Sequence, residues 1–241
     1  MSRVPATAPT SKSQLTERVR AFDAKAVRAA LVAKPALAGV RDARGRNWLH
    51  LCCSVNPAER GLRAQDAVKT AAVLLDAGFD IDAPAFREGD WCATPLWYAI
   101  ARGRNLPLAR FLLGRGADPN HSLWAAAFND DVAAVRLLVR HGADIDPVHE
   151  GATPFHFAVQ WSRFTGAKAL LALGANVDFQ DAAGRTALHC VLKKDSGKEV
   201  VRWLVSHGAR LDLPDARGVT ARDLLAKKRD SDYRRMMETK S

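Results

Sequence analysis

The chain has 241 residues, 48% of them apolar and 26% charged, and a formal net charge of +10. That is enough apolar material for a folded core, and no apolar run nears the ~18 residues that cross a bilayer. The charge is uneven: residues 1–46 carry +7 and residues 217–241 carry +4, leaving the middle at −1, which argues against one long basic face tracking nucleic acid.

Residues 1–13 are rich in Ser, Thr, Pro and Ala and lack an apolar h-region. They read as a flexible tail rather than a signal peptide, so the expected location is cytoplasmic. Leu15, Val19 and Phe22 share one helical face, and Asp23 is placed to cap a second helix carrying Val27 and Leu31. After this pair two phrases alternate. One is an apolar helical run that ends in glycine and a turn: VLLDAGFDID, FLLGRGADPN, LLVRHGADID, LLALGANVD and WLVSHGARLD, with glycines at 78, 116, 142, 174 and 208. The other is NWLH at 47–50, TPLW at 94–97, TPFH at 153–156 and TALH at 186–189, with a weaker HSLW at 121–124 and a closing TARDL at 220–224.

Thr caps a helix start, Pro at the first helical position loses no needed N–H, and Gly after the last turn admits a left-handed residue. Each unit is therefore helix, turn, helix and loop, too small to bury its own apolar face, so neighbours must stack. These phrases and their ~33-residue period resemble the ankyrin repeat family over residues 14–230 or so. The resemblance implies an all-α ankyrin-repeat solenoid of stacked helix-turn-helix units with finger-like loops. Its expected parts are an N-terminal cap at 14–41, repeats at about 42–82, 83–120, 121–146, 147–180 and 181–214, and a polar C-terminal cap at 215–241.

Three spacings depart from the repeat. About nine extra residues around Asn56–Gln65 lengthen the loop between the helices of the first full repeat. The finger Ala83–Ala93, containing Phe86 and Trp91, is long, whereas only five positions separate Gly116 from His121. A long finger beside a missing one predicts a notch.

The sequence shows no assembled chemistry. Cys52, Cys53, Cys92 and Cys190 have no framework spacing and read as small core residues in a reducing compartment. No phosphate loop, nucleophile elbow or H-E-x-x-H occurs, so no catalytic residue, cofactor or metal is expected. The resemblance gives His50, His156 and His189 a structural bond to the neighbouring repeat's loop. Asp42, Asp181 and Asp215 recur at loop tips as turn formers.

In the resembled family partners dock on loop tips and first-helix ends, which line a concave groove. Carried over by position, these places hold Arg44, Arg46, Trp91, Arg102, Phe128, Trp161, Arg185, Lys193, Lys194 and Arg217. Trp91, Phe128 and Trp161 are aromatics the fold does not require, and Trp and Arg dominate interface hot spots. The alternative for Trp161 is packing against the next repeat through Phe164. The expectation is a non-enzymatic monomer with no membrane partner. It would act as adaptor, inhibitor or stabilising partner, gripping another, acidic protein. The alternatives are nucleic-acid or polyanion binding through the basic ends, or a secreted effector.

Overall fold

The structure, a computed structural model, describes residues 11–89, 91–194, 196–228 and 232–233. The tail read at 1–13 lies outside these residues except at its end, where Ser11 caps the first helix and Lys12 opens it. The chain divides at Ala125/Ala126 into two compact units.

In the first unit, α1 (Lys12–Arg20) begins in a capping box between Ser11 and Gln14. Helix α2 (Ala24–Ala33) begins where the Asp23 carboxylate accepts the Ala26 N–H at 3.0 Å. Helices α3 (Trp48–Cys53) and α4 (Ala64–Asp76) are separated by the turns of the predicted insertion. The long finger is a hairpin of β1 (Arg87–Glu88) and β2 (Trp91–Cys92). Helices α5 (Pro95–Ala101) and α6 (Leu106–Gly114) follow, then a 3-10 turn at Asn120–Ser122. Helix α7 (Leu123–Phe128) contains the point of division.

The second unit continues with α8 (Val132–Arg140), α9 (Pro154–Gln160) and α10 (Phe164–Ala172). It closes with α11 (Ala187–Lys194), α12 (Lys198–Ser206) and α13 (Ala221–Ala226). Thr94 and Thr153 cap α5 and α9 with Pro at the first helical position, and Thr220 forms a capping box with Asp223 on α13. The glycines that end the second helices, such as Gly78 and Gly142, adopt φ of +85° and +88°, the left-handed conformation glycine accepts without a Cβ penalty.

Each unit has its own apolar core. Leu49, Leu74, Leu96, Leu108 and Leu112 fill the first; Leu138, Phe155, Leu170, Leu188 and Leu204 fill the second, all essentially inaccessible to solvent. Each contributes about 2 kcal/mol of burial.

Two hydrogen-bond series tie the repeats within each unit. The last Asp of the glycine phrase accepts the next repeat's backbone N–H: Asp82 from Asp118 at 3.0 Å, Asp146 from Asn176 at 2.9 Å, Asp178 from Arg210 at 2.8 Å. The histidines form the other series. His50 Nε2 lies 2.8 Å from the Ala83 carbonyl, His156 Nε2 3.0 Å from that of Arg185, and His189 Nε2 3.0 Å from that of Val219. Nδ1 of His189 accepts the Thr186 N–H at 3.1 Å. Burial lowers the pKa of His50 to about 4 and that of His156 below its ordinary value.

Candidate binding surfaces

In the first unit the finger builds one wall of a cleft of about 910 Å³. Below the hairpin, the Ala93 N–H donates to the Phe86 carbonyl at 2.8 Å and the Ala85 N–H to the Ala93 carbonyl at 3.0 Å. This pairing holds Phe86 and Trp91 side by side, ring centroids 6.3 Å apart. The rings continue edge to face from Trp91 to Trp97 at 5.4 Å, from Trp97 to Tyr98 at 5.0 Å and from Tyr98 to His50 at 5.6 Å. The opposite wall is the loop tip of Ala43, Arg44 and Arg46, and the turn after α5 supplies Arg102.

Of the predicted site residues, Arg44, Arg46, Trp91 and Arg102 therefore meet in one cleft. Their states differ. Arg46 Nε bonds the Asp42 carboxylate at 2.7 Å and its guanidinium lies 5.7 Å from the Tyr98 ring centre. Asp42 is more than a turn former. Burial alone would raise its pKa, but hydrogen bonds from the backbone and side chain of Arg46 and from the Arg44 N–H hold it below the ordinary value. Arg44 and Arg102 are exposed, and among the described residues neither has an ion-pair partner.

The expected notch is bridged. Trp91 is half-buried and its indole N–H donates to the His121 carbonyl at 3.2 Å, across the place of the missing finger. Trp97 stands where other repeats carry His, so at this joint the finger supplies the inter-repeat donor. Neither Trp97 nor Tyr98 is among the predicted site residues. Their signal was the adjacent aromatic pair in TPLWY.

In the second unit Phe128, Phe157 and Trp161 form a cluster with centroids 6.0–6.4 Å apart. Trp161 is 56% exposed and Phe128 40%, so Trp161 turns toward Phe128 and Phe157, not into a buried contact through Phe164. Arg163 lies 4.6 Å from the centre of the Phe128 ring. Phe157 was missed, although TPFHF carries it. Asp130 and Ser162, in the turns after α7 and α9, hold φ of +54° and +57°. These tight reversals leave Phe128 and Trp161 at the helix ends.

Three of the four predicted basic site residues of this unit are engaged with the fold. Arg185 forms an ion pair with Asp181 at 2.6 Å, and Lys193 with Asp215 at 3.0 Å. Lys194 donates to the Gln160 carbonyl. The Lys193 ammonium, with the backbone N–H groups of Arg217 and Val219, draws the Asp215 carboxyl down to about 2. Arg217 gives its backbone N–H to Asp215 at 2.9 Å and is otherwise exposed.

One grouping has the residue types of a nucleophilic site. Cys190 Sγ lies 3.7 Å from His156 Nε2, which is 4.0 Å from the Asp181 carboxylate. Its chemistry points elsewhere: burial raises the thiol pKa and lowers that of the imidazole, and Nε2 is spent on the Arg185 carbonyl. A buried, protonated thiol is a poor nucleophile. All four cysteines are buried and unpaired. Among the described residues no helix is long and apolar enough to cross a membrane, and no group of three or more His, Cys, Asp or Glu could hold a metal ion.

Comparison with known proteins agrees with this architecture. Ankyrin repeat family models match residues 96–181, as three copies, and residues 183–216. The unmatched first 95 residues include both long loops, which stretch the period. Human Rabankyrin-5 is 31% identical over 116 residues, which are 48% of this chain and 9% of that protein. The chain thus spans under a tenth of that relative's length. The ankyrin repeat domain of Bcl-3, an IkappaB family member, superposes with a TM-score of 0.75 at 23% identity, covering 95% of this chain and all of that one. The human ASB11 ankyrin repeat domain gives 0.69 at 24% identity and 99% coverage of both chains. At such identities the two structures speak for the fold alone.

Proposed function

The chain belongs to the ankyrin repeat family, whose repeats are generally protein–protein interaction modules, and on that premise we propose that it is a non-catalytic module that grips an acidic protein as adaptor, inhibitor or stabilising partner. The observation that carries the reading is the exposed Phe128–Trp161 pair. A Trp or Phe side chain buries 150–250 Å² when covered, so leaving two such rings in water forgoes stability the fold could have taken. Arg163 and Lys194 beside them favour an acidic partner surface. The buried free thiols fit a reducing, cytoplasmic setting.

Binding of nucleic acid is the weaker reading. Arg46, Arg185 and Lys193 spend charge on neighbouring carboxylates, which lowers the cationic field a polyanion would meet. The test is affinity capture from the source lysate with wild type and a Phe128→Ala/Trp161→Ala variant whose melting temperature matches. A protein retained by wild type and lost by the variant supports the reading. Equal retention removes the cluster from the interface, and nuclease-sensitive retention favours nucleic acid.

A further inference from the structure

The cleft of the first unit has a different chemistry from the exposed cluster. Its ~910 Å³ stands near the top of the roughly 300–1,000 Å³ that enclose a whole small ligand, and it exceeds what one side chain from a convex protein surface can fill. We propose that it takes an extended segment of an acidic peptide, an aliphatic or aromatic side chain seated against Phe86 and Trp97 and carboxylates held by Arg44 and Arg102. The proposal rests on the reading of the chain as a protein-binding module and names the segment this site would take.

The charge argument follows from which cations are already compensated. Arg46 is neutralised by Asp42 and laid over Tyr98. Arg44 and Arg102 line the cleft and are exposed, and a guanidinium's forked donors match a carboxylate. Those two cations, without an ion-pair partner among the described residues, also exclude the other ligand that aromatic walls suggest, a quaternary ammonium group, whose attraction to ring faces they would oppose. Stacked nucleobases fit poorly as well. Trp91, Trp97 and Tyr98 meet at interplanar angles of 78° and 90°, so ring faces are spent on neighbouring edges, whereas base stacking needs open faces. The apolar demand is real, since Phe86 is 50% exposed.

The experiment is fluorescence anisotropy of the full chain titrated with labelled nine-residue peptides. One has Phe-Leu centred among Glu and Asp, a second replaces Phe-Leu by Gly-Ser, and a third replaces the acids by Lys; a dT9 oligonucleotide is the fourth probe. The first peptide is expected to bind at least tenfold more tightly than the others and to weaken at least tenfold against Arg44→Ala/Arg102→Ala. Equal binding of the three peptides, unchanged affinity in that variant, tighter binding of dT9, or no peptide binding at all overturns the proposal. Should it fail while lysate capture still depends on Phe128 and Trp161, the cleft assignment falls and the protein-binding reading stands. Loss of both results removes the two together.

Discussion

The aromatic cluster around the finger and the one at the ends of α7 and α9 use the same residue types to opposite ends. Trp91 is half-buried, hydrogen-bonded to the 3-10 turn and edge-on to Trp97. Trp161 touches Phe128 and Phe157 and leaves more than half of its surface in water. A tryptophan at a recognised binding position is therefore not yet a binding residue. What decides its role is whether its indole N–H and its ring edges are already spent inside the fold.

Substitutions would test that contrast. The largest effect is expected next to Arg102, at Gly103→Ala. A Cβ there would stand 2.2 Å from the Cys53 carbonyl oxygen, so the α5 turn must shift, at a cost of about 3 kcal/mol in urea unfolding. A cost under about 1 kcal/mol would mean that the cleft's frame yields easily.

An effect of similar size is acid sensitivity. His50 is kept neutral by burial, with a pKa of about 4 in the fold against about 6.5 unfolded. The unfolded chain binds the proton first as pH falls, so this contribution is complete above pH 6.5 and lost between 6.5 and about 4, on the order of 3 kcal/mol in all. His50→Gln should flatten the pH dependence of stability across that window. An unchanged slope would place the acid sensitivity elsewhere.

Trp91→Ala follows, at about 2 kcal/mol, since it removes a half-buried ring and leaves the His121 carbonyl without its donor. Trp161→Ala is expected to cost under about 1 kcal/mol while abolishing partner capture. Reversed magnitudes in thermal melts of these two variants would invert the comparison.

The repeat architecture was legible because its signals are local. Thr94 and Thr153 before proline, and the glycines after each second helix, act within one turn of the chain. Loop lengths were legible as counts, but not where the longer loop would lean; the bond from Trp91 to His121 joins residues 30 apart and depends on the missing finger. The pairing of Arg46 and Arg185 with Asp42 and Asp181 was within reach. Both fall four residues apart in DARGR and DAAGR, a repeated phrase that sets each arginine beside its own carboxylate. Lys193 with Asp215 offered no such signal, because those residues are brought together only by stacking.

The carboxylates of Asp82, Asp146 and Asp178 leave a mark on how such a chain can change. Each accepts a main-chain N–H, and the residues carrying those donors, Asp118, Asn176 and Arg210, share no side-chain type. The coupling is written entirely on one side, and any non-proline successor completes it. Modules joined by so undemanding a link can be duplicated, lost or exchanged without rewriting their neighbours, so the chain can alter its reach one repeat at a time.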